Sequence, residues 1–369
     1  MKIRLYNMIA LVLICIPIVS FVLFNNRIVS NNENRVLAEK PELTLENIRN
    51  FPSAYEEYFN DHLPFKDVLV KVHSYLSTIV LKSSSNPNVI LGKENWLFFD
   101  SKNSGDGDEL ADYMGTNLYS EEELEDTVQN VVTMYENVSS LGIEFYLFIA
   151  PNKSTIYSEY MPDYYEKGTN SRVEQLVEAL KAYPQINVVY AKDILDEYKV
   201  EYQLYHKYDT HWNHLGGYLG TQALLEAMGK ETTPISEVSI KKEIRDKSYD
   251  LAFMLNLVDY YDDDYWYTIE NYNPEIDVEE TVTDRVSSSD YNSFFKTNHM
   301  DDRTVMVCRD SFGGATFDIL PKNFEETIYI HRNLWKDEYL KTYEPDIFVF
   351  EFVERHTSVL PYFLQDRMN

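Results

Sequence analysis

Residues 304–314, TVMVCRDSFGG, carry more information about the fold than any other stretch of the chain. The short apolar run at 304–308 is followed by a turn that is mostly polar and then by two adjacent glycines. A continuous run of this kind predicts a strand buried on both faces, as in a parallel sheet. Ser311 therefore follows the carboxyl end of a predicted strand, where open α/β sheets place their functional sites.

Four other short apolar runs predict further buried strands. They are FYLFIA (145–150), NVVY (187–190), TIYI (327–330) and IFVFEF (347–352). Helical patterns occupy 121–139, opening at Ser120, as well as 172–183 and 213–228. Strands that alternate with helices predict an α/β/α sandwich around a parallel sheet.

The rest of the chain divides by composition. Residues 5–24 are almost entirely apolar, with Lys2 and Arg4 before them and Arg27 after them, which predicts an uncleaved signal-anchor helix within 1–27. A cleaved signal peptide is the alternative, although Ile18 and Ser20 make a poor cleavage site. After this segment we predict a linker (28–42), then a helical and hairpin region packed on the main domain (43–100), and then the main domain itself (101–369). The main domain contains an acidic, Tyr-rich insertion of hairpins and loops at about 236–300. This pattern predicts a single-pass protein of the cell membrane whose larger part is extracellular.

Charge and cysteine content exclude some classes of function. The formal net charge is −28, which argues against nucleic acid as a partner because phosphates would be repelled. Two cysteines are too few for a disulfide framework, a zinc ribbon or an iron–sulfur cluster. The 30 tyrosines and 4 tryptophans suit a protein that faces carbohydrate, but core packing accounts for most of them.

Two polar segments are candidates for catalysis. The first is YDTHWNH (208–214), in which Asp209 and His211 stand on one loop, so that the carboxylate can orient the imidazole. The second is the turn at Ser311, whose hydroxyl the imidazole could deprotonate, beside backbone N–H groups that include Gly313. The alternatives are a metal site formed by His206, Asp209, His211 and His214, or histidines with a purely structural role; the spacing favours catalysis and no bound metal.

Several other residues are weaker candidates for binding substrate. Asn152 and Lys153 follow the strand at 145–150 and could face the same site, with Asn152 as a donor to an oxyanion. Trp212 could stack on a sugar, although packing of the loop is the better interpretation. Arg309 and Arg355 could bind polymer carboxylates, or pair with neighbouring acids. The acidic run 262–264 predicts a solvated loop, with calcium binding as the alternative.

At these motifs the sequence resembles the DHHW family and the related alginate O-acetyltransferases of the AlgJ/AlgX type, within the SGNH hydrolase-like superfamily. The segments that carry the resemblance are ENRVLAEKPEL, EEYFNDHLPFKD (56–67), VILGKENWLFFD, FIAPNKSTIYSEYMP, YDTHWNHLGGYLG and CRDSFGG. The Asp-x-His-Trp element is the most specific of them. Thr210 stands where the name-giving pattern has a second histidine.

The resemblance implies an SGNH-type α/β/α fold in which the catalytic order is permuted. Ser311 would be the nucleophile, His211 the general acid and base, and Asp209 the residue that orients the imidazole. The implied activity is transfer of an acetyl group, through a serine acyl-enzyme, to hydroxyls of an exopolysaccharide or cell-wall polymer. A membrane-bound O-acyltransferase would supply the acetyl group, and no cofactor is expected. A polysaccharide acetylesterase with the same triad and a non-catalytic polysaccharide-binding scaffold are the alternatives.

Overall fold

A computed structural model describes Phe21 and residues 29–30, 35–244, 249–336, 338–358 and 360. The predicted membrane segment at 5–24 lies outside the described residues, apart from Phe21. Within the described part of the chain, no helix is both long enough and apolar enough to cross a bilayer. The chain forms two compact units, which divide between Leu81 and Lys82.

The smaller unit contains a pair of short strands and two helices. Strands β1 (Val29–Ser30) and β2 (Arg35–Val36) pair in antiparallel fashion. Helix α1 (Phe51–His62) carries a proline in its first turn, where the missing N–H costs no hydrogen bond. Helix α2 (Lys66–Tyr75) continues as a π-helical turn, Leu76–Val80. Helices are therefore present in the region at 43–100 where the sequence predicts them.

The larger unit alternates strands and helices. Its strands are β3 (Val89–Leu91), β4 (Leu97–Phe99), β5 (Glu144–Ala150), β6 (Asn187–Tyr190), β7 (Ile240–Glu243), β8 (Trp266–Ile269), β9 (Val278–Thr283), β10 (Asn292–Thr297), β11 (Thr304–Arg309), β12 (Glu326–His331) and β13 (Ile347–Val353). Its helices are α3 (Glu109–Met114), α4 (Glu121–Ser140), α5 (Lys153–Ile156), α6 (Arg172–Leu180), α7 (Lys192–Tyr198), α8 (His214–Ala227), α9 (Asp250–Met254) and α10 (Tyr339–Tyr343). The hairpin predicted within the region 43–100 is present as the antiparallel pair β3–β4.

The central sheet is mixed, which corrects the prediction of a parallel sheet. Its order is β6-β5-β13-β11-β12-β10-β9, and the first five strands run parallel to one another. Strand β10 pairs antiparallel with β12, and β9 pairs antiparallel with β10. The last two strands come from the predicted insertion. Strand β9 is almost wholly exposed and polar, so it lacks the apolar run that marks a buried strand.

Helices cover both faces of the sheet, as the α/β/α prediction requires. Alternate residues of one strand point to opposite faces, so Tyr146 and Phe148 join a core with α8, whereas Phe145 and Leu147 join a core with α4 and α6. Strands β11 and β13 alternate in the same way. Burial on both faces explains why these strands read as continuous apolar runs.

Side-chain caps define where two of the helices begin. Ser120 and Glu123 form a reciprocal capping box at the start of α4, as the sequence predicts. The side chain of Asn213 accepts hydrogen bonds from the N–H groups of Leu215 and Gly216 and so begins α8. This second cap sets the end of the loop that carries Asp209 and His211.

Candidate active site

Ser311 lies in the turn after β11, at the carboxyl edge of the parallel strands. The preceding carboxylate, Asp310, shapes this turn because it accepts the N–H of Phe312 (2.8 Å) and the N–H of Val353 on β13 (2.8 Å). A short 3₁₀ helix, Phe312–Thr316, begins immediately after the serine. The serine is therefore held where a strand turns sharply into a helical segment, next to the neighbouring strand.

The loop with Asp209 and His211 is closed on itself before α8 begins. Tyr205 and Trp212 form an antiparallel bridge, and the amide of Asn213 donates to the carbonyl of Gln203 (2.6 Å). Inside the loop, the buried ammonium of Lys153 donates to the carbonyls of Lys207 and Asp209, at 2.9 Å each. These contacts fix the backbone on which the two candidate side chains stand.

A close helix contact brings the two segments together. An added Cβ at Gly217 of α8 would lie 2.6 Å from the Cβ of Ala315, which follows Ser311 by four residues. Only a glycine permits this approach of the helix to the serine turn. The indole of Trp212 adds a direct link, since its Nε1 donates to the carbonyl of Phe312 (2.9 Å).

The three candidate side chains form a continuous hydrogen-bonded chain. His211 Nε2 lies 2.7 Å from Ser311 Oγ, and His211 Nδ1 lies 2.6 Å from Asp209 Oδ1. The second carboxylate oxygen of Asp209 accepts the backbone N–H of Asp250 (2.9 Å). In this arrangement Nδ1–H donates a hydrogen bond to Asp209, so the neutral imidazole presents a lone pair at Nε2 to the serine hydroxyl.

A second carboxylate, Asp250, stands beside the imidazole, and sequence reasoning did not find it. Its Oδ2 lies 3.8 Å from His211 Nδ1, and its two oxygens accept the N–H and the hydroxyl of Thr210 (2.8 and 2.6 Å). Asp250 begins α9 inside the predicted insertion, 41 residues from Asp209. Because no local motif marks it, only the folded chain shows that it belongs to the site.

These charges shift the protonation of all three groups. Burial raises the pKa of Asp209, but the charge and hydrogen bond of His211 outweigh burial and hold that pKa below its ordinary value. Burial lowers the pKa of His211, but the Asp209 carboxylate more than offsets it, so this pKa lies above its ordinary value. Burial and the neighbouring Asp209 charge together raise the pKa of Asp250 to about 6.

A cavity of about 260 Å³ opens at the serine. Its described lining contains Ser311, His211 and the aromatic rings of Trp212, Trp266 and Phe312. Trp266 comes from β8 and packs against two further imidazoles of the lining, those of His206 and His214, with ring centroids 5.1 and 5.3 Å apart. The cavity therefore combines a polar reacting edge with flat apolar walls.

Of the weaker candidates for binding substrate, Trp212 lines the cavity and the others lie elsewhere. The described lining does not include Asn152, Lys153, Arg309 or Gly313. Arg309 is buried and donates to the carbonyls of Ser289, Tyr291 and Asp310. Asn152 is buried as well and accepts the N–H of Arg355 (3.2 Å). An added Cβ at Gly313 would lie 2.8 Å from the Cβ of Arg309, so this glycine permits close packing behind the turn.

Among the described residues, the side chains that could bind a metal ion together are a different set from the four that the sequence suggests. Ligand atoms of Asp209, His211 and Asp250 lie within 4.8 Å of one another. His206 and His214 instead face Asp264 (3.5 Å) and Asp318 (3.6 Å). A cation held by the first three groups at His211 Nδ1 would replace the imidazole hydrogen bond to Asp209.

One member of the acidic run is buried, which corrects the prediction of a solvated loop at 262–264. Asp264 is 1 % exposed and accepts the N–H of Lys207 (2.7 Å) and the amide of Gln203 (2.7 Å). The carboxylate thus satisfies donors of the loop that carries His211. Local sequence could not show this, because the donors come from a segment almost 60 residues earlier.

A buried network supports the serine turn from behind. Asp310 Oδ2 lies 2.7 Å from Nδ1 of His356, whose Nε2 lies 2.6 Å from Asp106. Asp106 also accepts the guanidinium of Arg355 (2.9 Å), so Arg355 pairs with a neighbouring acid. Asp106 and His356 are members that sequence reasoning missed, since neither stands in a recognisable motif.

Solved structures share this fold. A DHHW family protein from Eubacterium siraeum superposes with a TM-score of 0.55 at 14% identity, over 76% of this chain and 99% of the other. Bacillus cereus PatB1 with a sulfonyl adduct superposes with a TM-score of 0.54 at 16% identity, over 74% and 97% of the two chains. At such low identity the likeness shows the fold alone.

The family is shown by sequence. The probable alginate O-acetylase AlgJ of Pseudomonas putida is 26% identical over 182 residues, and that of Pseudomonas syringae pv. tomato 24% identical over 181. Each alignment covers 48% of this chain, but only 43% and 42% of these relatives, so the chain spans less than half of their length. Residues 89–307 match the family described as "SGNH hydrolase-like domain, acetyltransferase AlgX", which confirms the resemblance seen in the sequence. With more than half of its 369 residues matched, the chain belongs to this family of AlgX-type SGNH hydrolase-like domains.

Proposed function

We propose that this protein is an O-acetyltransferase that carries an acetyl group on Ser311 and passes it to a hydroxyl of an extracellular polysaccharide. One observation carries the proposal: the 2.7 Å contact between Ser311 Oγ and His211 Nε2, with Asp209 2.6 Å from the other imidazole nitrogen. Membership of the AlgX-type family and two relatives named as probable alginate O-acetylases support it.

The first half of the reaction loads the enzyme. Ser311 Oγ attacks the carbonyl carbon of an acetyl ester while His211 Nε2 takes the hydroxyl proton. Asp209 accepts a hydrogen bond from Nδ1–H and stabilises the imidazolium that forms. The tetrahedral intermediate collapses, the bond to the leaving alcohol breaks, and His211 returns the proton to that alcohol. The acetyl group is then an ester on Ser311.

The second half transfers the acetyl group. An acceptor hydroxyl gives its proton to His211 Nε2 and attacks the acetyl carbon, and the proton then returns to Ser311 Oγ as the ester bond breaks. In the described part of the chain, the backbone N–H groups of Ser311 and Gly313 have no hydrogen-bond acceptor, so they are the candidate donors to the oxyanion of both steps. The buried amide nitrogen of Asn152 also has no acceptor among the described residues, but Asn152 lies outside the described lining of the cavity and is therefore the weaker candidate.

The cavity supports the proposed acceptor, and the N-terminal sequence supports the proposed donor. Trp212 and Trp266 present flat apolar surfaces of the kind that pack on sugar rings. The apolar run at 5–24 would hold the enzyme as a single-pass protein at the outer face of the cell membrane. Outside the cell there is no pool of acetyl coenzyme A, so a membrane-bound O-acyltransferase is the proposed source of the acetyl group.

The test compares the wild type with Ser311→Ala and with Ser288→Ala, an exposed serine of a surface loop. With nitrophenyl acetate, the wild type and Ser288→Ala should release nitrophenol in a burst and gain one acetyl group by intact mass. Ser311→Ala should do neither, while retaining its circular dichroism spectrum. An acetyl group captured by Ser311→Ala at the wild-type rate would contradict the proposal.

A second measurement separates transferase from esterase. The acetylated enzyme is offered neutral and uronic-acid oligosaccharides, and acetylated oligosaccharide is measured against free acetate. Transfer to a sugar should exceed hydrolysis for at least one acceptor, with neutral oligosaccharides favoured because the enzyme carries a charge of −28. Free acetate as the sole product with every acceptor would make the protein an acetylesterase.

A further inference from the structure

Helix α2 and the π-helical turn after it carry a stripe of exposed apolar side chains. The members are each between 49 and 58% exposed, and they are Phe65, Val68, Leu69, Val72, Leu76 and Val80. They follow one another at spacings of three, one, three, four and four residues. Such spacing places Val68, Leu69 and Val72 on one side of α2. Phe65 precedes this helix as its N-cap residue, and Leu76 and Val80 are the two ends of the π-helical turn. We refer to these six residues as the apolar stripe.

In this helix, polar side chains are buried and apolar side chains are exposed, which is the reverse of the usual pattern for a helix in contact with water. Ser74 and Thr78 are 3% and 1% exposed, and they lie about half a turn away from the apolar stripe. A helix on the surface of a soluble protein buries its apolar face and exposes its polar one. Here small polar side chains are covered, whereas leucine, valine and phenylalanine face outward. Exposed apolar side chains that are grouped on one face, rather than scattered singly, mark a candidate interaction site.

The charges around the stripe differ in sign from those of the whole chain. Between residues 65 and 82 there are three lysines (Lys66, Lys71 and Lys82) and one acidic residue, Asp67, which leaves a net charge of +2. The chain as a whole carries −28. On a helical projection Lys66 and Lys71 stand on opposite borders of the stripe, where lysine side chains reach lipid headgroups while their stems lie on apolar surface.

We infer that the apolar stripe lies in the interface of a lipid bilayer that contains anionic lipids, with α2 parallel to the membrane plane. The 15 residues from Lys66 to Val80 span about 22 Å, which is too short to cross a hydrocarbon core of about 30 Å. The basic border suits an anionic lipid surface. Along the chain, the stripe begins about 40 residues after the apolar run at 5–24, for which the sequence predicts a membrane anchor. This inference is independent of the acetyl-transfer proposal.

The test measures depth with spin labels on the full chain. Cys15→Ser removes one thiol, and the other, Cys308, is buried. A label is attached at Val72→Cys, within the stripe, or at Val200→Cys, a matched valine that is 91% exposed in the larger unit. Each protein is mixed with vesicles of phosphatidylcholine, with or without phosphatidylglycerol. Collision with oxygen and with a water-soluble nickel complex then reports the depth of the label.

The label at position 72 should lie about 5–10 Å below the lipid headgroups, accessible to oxygen and shielded from nickel. The label at position 200 should stay open to nickel in every sample. Shielding at position 72 should be greater with phosphatidylglycerol, and equal shielding in both vesicles would overturn the part assigned to the lysines. Equal nickel access at positions 72 and 200, or shielding that appears only after a second protein is added, would overturn the bilayer inference.

Discussion

Replacing Asp209 by asparagine tests how the two carboxylates share the support of His211. Both lie near Nδ1, at 2.6 Å for Asp209 and 3.8 Å for Asp250. With an effective dielectric constant of about 20, a full charge at these distances attracts the imidazolium by about 6 and about 4 kcal/mol. His211 and Asp250 are each near 30% exposed, so solvent screening reduces both values. When Asp209 is neutral, Asp250 alone still attracts the imidazolium, up to about two-thirds as strongly as Asp209 did.

The expected rates follow from this partial substitution. Loss of the orienting carboxylate in a triad without a second acid lowers kcat by about 10⁴. We expect Asp209→Asn to lower the rate of Ser311 acetylation by about 10² to 10³, Asp250→Asn by at most about tenfold, and the double variant by about 10⁴. The exposed acid Asp193 provides the control Asp193→Asn, which should acetylate at the wild-type rate.

The assay is the pre-steady-state burst of nitrophenol from nitrophenyl acetate, measured across pH. Only neutral His211 accepts the serine proton, so the wild-type rate should rise with pH through the raised pKa of His211. Removing either carboxylate charge should move that midpoint to lower pH. The reasoning is refuted if Asp209→Asn acetylates within threefold of the wild type, or if the double variant matches Asp209→Asn in both rate and midpoint.

Three further predictions concern the supports of the site. Lys153→Met removes the ammonium that donates to two loop carbonyls, so it should lower the unfolding free energy by about 1–3 kcal/mol and also lower kcat. The control Lys93→Met breaks an exposed ion pair and should lower the unfolding free energy by less than about 1 kcal/mol. Burial raises the pKa of Glu351 far above its ordinary value, so folding keeps it protonated and stability falls as pH rises above about 4.3; Glu351→Gln should therefore unfold at higher urea than the wild type at pH 7 and lose that advantage near pH 4. Gly313→Ala should lower the unfolding free energy by about 1–3 kcal/mol through contact with the side chain behind it, and Gly314→Ala, which meets open space, should change it by less than about 0.5 kcal/mol. Thermal or urea unfolding measures all three, and an equal effect of the paired glycine variants would contradict the last.

Strands buried on both faces were predictable from local sequence. The predicted runs at 145–150, 304–308 and 347–352 agree with β5, β11 and β13 to within one residue at each end. Each residue of such a strand lies against a helix layer, so burial appears directly as an apolar run. Strands β9 and β10 have no such mark, since β9 is exposed and its place in the sheet depends on pairing with β10. The direction of these edge strands therefore required the tertiary structure.

The candidate site divides in the same way. Ser311 and the pair Asp209 and His211 stand in short motifs whose chemistry is local, so the sequence alone indicated them. Their meeting depends on a glycine contact between α8 and the serine turn, which no local pattern specifies. Asp250 lies 41 residues after Asp209 in the sequence. Its carboxylate belongs to the site because folding brings it within 3.8 Å of His211, which no sequence motif indicates.

By itself, then, the sequence determined the residue types of the candidate site, the buried strands of the sheet and the family to which the chain belongs. The residue types and the strands depend on neighbours within about ten residues, where apolar period, turn residues and caps act directly. The tertiary structure alone decided which side chains surround His211, which strands close the sheet and which face of α2 is exposed. These features depend on the packing of segments far apart in the chain, because burial and electrostatic attraction depend on distances in space and not on separation in the sequence.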